Sequence, residues 1–346
     1  MAPIRRRAAL ALATTAVLAT VASDAHAAAT VTVTDDAGVP RVINPAAPPT
    51  IRQMKPDVGL SFPEPFGRYK LAITDGAGNR AGVGVDCLPK NAPQGTRVDY
   101  HGNGPYVITV VNYVDADTAC RAPQSTEQYG FYVTASTVVT PPAGPVLLRE
   151  PGDLELLPVS VNVGLNPGAD DYDVQYALRG VPGPDGGLTG PLEHAFVNPS
   201  TGATRLAITR PGVYTVVARA RHFGSGGDTY GPYSAPAKVV VCAPFDLVAS
   251  GEFLDADGPS YRMRWTVRER SATGWVNVAV ARGAKGGHFH ALGRARLSHG
   301  RFSKRFTLVR GGRYRLRLTY KGSRLVAAGG AIDAIQVSRA FVTAPK

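Results

Sequence analysis

Leu206–Val241, LAITRPGVYTVVARARHFGSGGDTYGPYSAPAKVVV, is the stretch that decides how this chain is read. A Pro-Gly turn at 211–212 launches a run in which Tyr214, Val216, Ala218 and Ala220 share one face, because side chains on a strand alternate with period two. The arrangement recurs at Gly104-Pro105-Tyr106 and at Gly311-Gly312-Arg313-Tyr314, so the tyrosines stand 108 and 100 residues apart. Intervals close to the commonest domain length predict one architecture used three times. The expected fold is all-β: three tandem β-sandwiches, each with its own core, spanning residues 28–141, 142–244 and 245–346.

Outward from that stretch, the N-terminus reads as an export signal over residues 1–27. Arg5, Arg6 and Arg7 precede an apolar run from Ala8 to Ala22, and Ala25-His26-Ala27 supplies small residues for cleavage. The run is shorter than the ~20 residues that cross a bilayer, so no membrane span is expected and the mature protein is read as secreted. The 39 glycines and 28 prolines are scattered between valine-rich runs, as many short strands and turns require.

Alternation places strands at Thr30–Thr34, Val58–Phe62, Tyr69–Thr74, Ala81–Cys87, Tyr106–Val114 and Phe131–Val139 in the first unit, and at Pro158–Leu165 and Tyr172–Leu178 in the second. No window keeps apolar residues at helical spacing without a Gly or Pro interrupting it. Thr140-Pro141-Pro142-Ala143-Gly144-Pro145 reads as a semi-rigid linker. Cys87 and Cys120, in a chain routed to an oxidising compartment, are expected to form a disulfide, with two reduced buried thiols as the alternative. Cys242, the odd cysteine, is either a small buried residue or an intermolecular partner, which leaves a covalent dimer open for a chain otherwise read as a monomer.

The run ITRPGVYTVVARARHFGSGGDTYGPYSAPAKV resembles the second half of a fibronectin type III domain, with Pro211, Gly212 and Tyr214 at its tyrosine corner and Gly231, Ser234 and Pro236 leading into the last strand. Asp171–Tyr176 is similar to that family's third strand, and the resemblance covers about 75 residues. The stretch expected to be the second strand, Val159–Leu165, lacks the tryptophan usual there. The resemblance implies a sandwich whose tyrosine hydroxyl bonds back to the backbone, and it implies no enzyme. Tyr106 and Tyr314 are assigned the same corner role. The family's adhesive loop signal is absent, since the loop reads Gly226-Gly227-Asp228. Phe223, Tyr230 and Tyr233 beside it form an aromatic contact patch or fold back on the sandwich end.

Charge is unevenly spread. Residues 245–346 hold nineteen lysines and arginines against six aspartates and glutamates, which accounts for the whole of the +12 excess. GHFHALGRARLSHGRFSKRF and GGRYRLRLTYKGSRLVAAG in this unit resemble the Ig-like repeats of secreted proteins from high-GC bacteria. Arg262, Arg264 and Arg268 on one strand, Arg294 and Arg296 on another, and Arg313, Arg315 and Arg317 on a third would present guanidinium ladders repeating at about 6.6–7 Å, suited to phosphates or carboxylates. A solvated strand face is the alternative. Parity also puts Lys304 on the core side with Phe302 and Phe306, beside the strand edge.

Catalytic signatures are missing: there is no nucleophile elbow, no His-Glu-x-x-His and no phosphate loop. His288 and His290 share a face with His299 nearby, but a zinc site would need a further ligand. Asp35-Asp36, Asp115 with Asp117, and Asp255 with Asp257 read as turn chemistry. No cofactor or metal is assigned. Two functions remain: a secreted, non-catalytic, adhesion-type binder that attaches to a cell-wall or extracellular polyanion through its basic C-terminal unit while other loops meet a protein or glycan, or a spacer of sandwiches with no ligand.

Overall fold

The computed structural model describes residues 28–92, 95–148, 159–224, 226–257, 259–283 and 287–337. The expected export segment at 1–27 lies outside them. Every regular element among the described residues is a strand.

The sheets fall into three sets that follow one another along the chain. The first pairs Pro40–Val42, Thr30–Thr34, Asp57–Ser61 and Thr96–Arg97 in one sheet, and Thr50–Ile51, Pro123–Val133, Gly104–Tyr113, Arg68–Asp75 and Val85–Pro89 in the other. The second has Val139–Thr140, Val159–Val163 and Ala203–Leu206 against Val146–Leu147, Ala237–Cys242, Gly212–Gly224, Asp171–Leu178 and Glu193–Ala195. The third has Glu252–Asp257, Ser260–Thr266 and Arg301–Thr307 against His290–Leu297, Gly274–Arg282, Gly312–Tyr320 and Gly329–Val337. In each set the tyrosine-bearing strand is central in the larger sheet, between the strand that crosses over from the smaller sheet and the last strand of the set. The register pairing Val139 with Val163 draws residues 139–140 into the second set of sheets.

The three corner tyrosines have the same local geometry. Tyr106, Tyr214 and Tyr314 donate their hydroxyls to the carbonyls of Gly102, Arg210 and Arg310, each four residues upstream, at 3.0, 3.0 and 2.5 Å. Their rings are buried, so the turn is pinned to the strand that it starts. The face read from Tyr214, Val216, Ala218 and Ala220 is buried throughout.

Where the sequence predicts three separate cores, the described residues form two principal ones. A continuous apolar cluster runs from Ala29 to Val241 through the first two sets, and a second from Phe245 to Val337 fills the third. The first two sets merge because the segment 52–55 docks on 166–170. Met54 is fully buried and its amide donates to Pro167 O at 2.9 Å, while Asn166 Nδ2 donates to Arg52 O at 2.7 Å. In the third core Trp265 stacks on Phe302 with centroids 5.2 Å apart, and its indole N–H donates to the inward-facing Asp333 at 2.8 Å.

Cys87 and Cys120 form the expected disulfide, with Cα atoms 5.6 Å apart. Cys242 is free and buried between the second and third sets, its Sγ 3.5 Å from Arg324 O. Desolvation there pushes its thiol pKa up. Lys304 leaves the core side by reaching the neighbouring strand edge, where its Nζ donates to Arg294 O at 3.4 Å.

Candidate functional site: the outer face of the C-terminal sheet

Strand parity and register divide the arginine ladders between two opposite surfaces of the third set. Arg262 and Arg264 point outward from the smaller sheet, where Arg264 lies opposite Glu252 and Arg262 opposite Asp255 in the register. Arg268 leaves the ladder altogether and forms an ion pair with Asp246 at 2.9 Å. Arg264 and Arg268 therefore have carboxylate-bearing neighbours.

The larger sheet is different. Val276, Val278, Val280, Leu316 and Leu318 fill its inner face. Alternation then sends Trp275, Asn277 and Ala279, together with Arg313, Arg315, Arg317 and Thr319, to the outer one. Arg294 and Arg296 join them from the edge strand, opposite Asn277 and Trp275. Its four strands contain one acidic residue, Asp333, and that residue points into the core. The outer face thus gathers Arg294, Arg296, Arg313, Arg315 and Arg317 with no carboxylate of the same strands beside them.

Aromatic rings hold three of these guanidinium groups. Arg294 Cζ lies 5.0 Å from the Trp275 ring, and Arg315 and Arg317 lie 5.2 and 4.5 Å from Phe289. Such stacking orients a planar guanidinium and leaves its edge free to donate. The Nε of Arg315 is buried without a hydrogen-bond partner. Between Arg294 and Arg317 the face dips into a groove of about 500 Å³. Its floor is Ala279, Ala291 and Gly293, and Asn277 and Thr319 also line it. The dip arises from a β-bulge: the register slips between Val278 and Ala279, and Gly293 takes φ +91°, a conformation that side-chain-bearing residues rarely adopt. Trp275 and Phe289 escaped the sequence reading. An outward tryptophan among alternating valines was the available signal for the first; Phe289 precedes its strand and gave none.

The patch of Phe223, Tyr230 and Tyr233 is laid down over arginines on the second set. Arg219 Cζ lies 4.0 and 4.3 Å from the rings of Tyr230 and Tyr233, and Arg221 Cζ lies 4.7 Å from that of Phe223. Asp173 takes Arg219 at 3.0 Å and the Tyr233 hydroxyl at 2.8 Å, so this cluster neutralises its own charge. Desolvation and then Asp173 push the Tyr233 hydroxyl pKa upward.

A second group of titratable residues sits at the junction of the first two sets. The buried His222 ring places Nε2 2.5 Å from Asp99 Oδ1 and Nδ1 2.8 Å from Asp170 Oδ2. Asp170 also takes Lys55 Nζ at 2.6 Å and the Phe223 amide at 2.8 Å. Desolvation raises the Asp170 pKa, but Lys55, the Phe223 amide and His222 together outweigh it and hold the carboxyl down at about 2.

Among the described residues no group of three or more His, Cys, Asp or Glu could hold a metal. His299 sits in the turn after Leu297, while His290 begins the same strand, so they stand at opposite ends of an extended run rather than side by side. Asp35 and Asp117 serve turns: Asp35 accepts from the Ala37 and Val39 amides, and Asp117 from those of Arg121 and Ala122.

The repeated pair of sheets defines the class: an all-β protein of immunoglobulin-like and fibronectin type III-like sandwiches. No protein-family profile matches the chain, and no curated protein matches it in sequence. Among solved structures it is similar to the tetra-tandem repeat in the extending region of a large adhesion protein, at 16% identity over 83% of this chain and 71% of that one, with a TM-score of 0.32. It is also similar to the chicken CNTN1 FN1-FN3 domains, at 14% identity over 84% and 98%, with a TM-score of 0.22. Among the described residues no helix is long and apolar enough to cross a membrane.

Proposed function

We propose that this chain is an exported, non-catalytic protein of three sandwiches, the second beginning with the strand Val139–Thr140 and the third at about residue 245, which holds an anionic polymer on the outer face of its C-terminal sheet. The signal-like residues 1–27 and the Cys87–Cys120 disulfide support export to an oxidising compartment. One observation carries the binding reading: five outward arginines share a sheet face whose strands present no carboxylate to neutralise them. The continuous core of the first two sets favours a second, compatible role for them, as a stiff arm that keeps the basic sheet at a distance.

Elution of the whole mature chain from phosphocellulose under a salt gradient tests the binding role. Replacing Arg294, Arg315 and Arg317 by Gln is expected to bring elution to markedly lower salt, whereas the charge-matched replacement of Arg262, Arg264 and Arg301, the last exposed on the smaller sheet opposite Thr266, shifts it less. Equal shifts for the two triple variants would sink the proposal.

A further inference from the structure

We propose that the groove between Arg294 and Arg317 takes an acidic polysaccharide, with carboxylates on the two guanidinium groups and a sugar ring over the small-residue floor; this rests on the polyanion reading above and narrows it to one class of polymer. Shape is the first argument. Ala279, Ala291 and Gly293 leave a concavity of about 500 Å³ on what would otherwise be a pleated surface, and the amide of Asn277 and the hydroxyl of Thr319 offer hydrogen bonds at its side.

Ring occupancy is the second. Proteins that bind single-stranded nucleic acid stack bases on open aromatic faces. Here Trp275 has Arg294 against its ring, and Phe289 has Arg315 and Arg317. The rings therefore serve to aim guanidinium groups, which a carboxylate meets in bidentate fashion.

Spacing is the third. Register sets Arg294 beside Asn277 and Thr319 in one row, with Arg317 two residues along the strand from Thr319. Two interstrand steps and one side-chain repeat separate the two arginines by about 12 Å at Cα. An interval of that length calls for two separate anionic groups on one polymer, one for each guanidinium, with the sugar backbone crossing the floor between them.

Calorimetric titration of the whole mature chain with polygalacturonate, its methyl ester and single-stranded DNA tests the assignment. Polygalacturonate is expected to bind at least tenfold more tightly than either of the others. Ala291→Phe fills the groove without changing charge, and Arg317→Lys keeps the charge but removes the planar fork. Each is expected to lower polygalacturonate affinity tenfold while elution from phosphocellulose stays where it was. DNA binding as tight as polygalacturonate, or undiminished polygalacturonate binding by both variants, overturns this inference and leaves the polyanion reading standing. Early elution from phosphocellulose with no binding to any of the three polymers overturns both.

Discussion

Asp170 shows how much a single carboxyl can do at the seam between two sandwiches. It holds Lys55 from the first set and, on its own side, His222 and the Phe223 amide, and its pKa falls from 3.8 to about 2. A depressed carboxyl binds fewer protons folded than unfolded, so its stabilisation is present above about 3.8 and is lost as pH falls toward about 2. We expect Asp170→Asn to lower stability by on the order of 2 kcal/mol at neutral pH, with the gap closing by pH 2. Urea midpoints followed by tyrosine circular dichroism at both pH values would check this; an equal loss at both would refute it. None of this seam was legible in the chain, because Lys55, Asp99, Asp170 and His222 are scattered and meet only through the docking of two units.

Elements were far more legible than sites. Strict alternation located the strands at Thr30–Thr34 and Asp171–Leu178 nearly to the residue, because a buried face and a wet face must alternate. The strand Pro123–Val133 begins eight residues before the position read for it, since PQSTEQYG is polar and is held by pairing with Gly104–Tyr113 rather than by burial. The arginine ladders were legible as outward rows, but parity along one strand does not say which sheet that strand joins. The two rows consequently divide between opposite surfaces. The bulge at Gly293 was invisible too, although it shapes the groove. Gly293→Ala is expected to cost about 1–2 kcal/mol from the left-handed backbone alone, and to bring a Cβ within 3.1 Å of Lys304 Nζ. Tryptophan fluorescence would register the earlier unfolding, and an unchanged midpoint would mean that the strand relaxes its register.

At the scale of the molecule, both of the chain's tryptophans, Trp265 and Trp275, lie in the third set, while the disulfide lies in the first. The two cores can therefore be followed separately. Reduction of Cys87–Cys120 removes a cross-link over 33 residues, worth about 3–4 kcal/mol through the unfolded chain. It is expected to lower the tyrosine-detected transition and leave the tryptophan-detected one in place. A common shift in both signals would mean that the cores unfold together.

The strand that leaves the second set is gripped twice before the third begins. Val241 and Cys242 pair in parallel with Val146 and Leu147, and Ala243 continues in parallel beside Val326, exchanging hydrogen bonds of 2.9 Å with Leu325 and Ala327. Tension applied to the C-terminal sandwich while the N-terminal part is tethered would run along this backbone. The parallel bonds would then be loaded in shear and break as a group rather than unzip in turn. A protein anchored at its basic end would in this way transmit a tug to its neighbours before surrendering its joint.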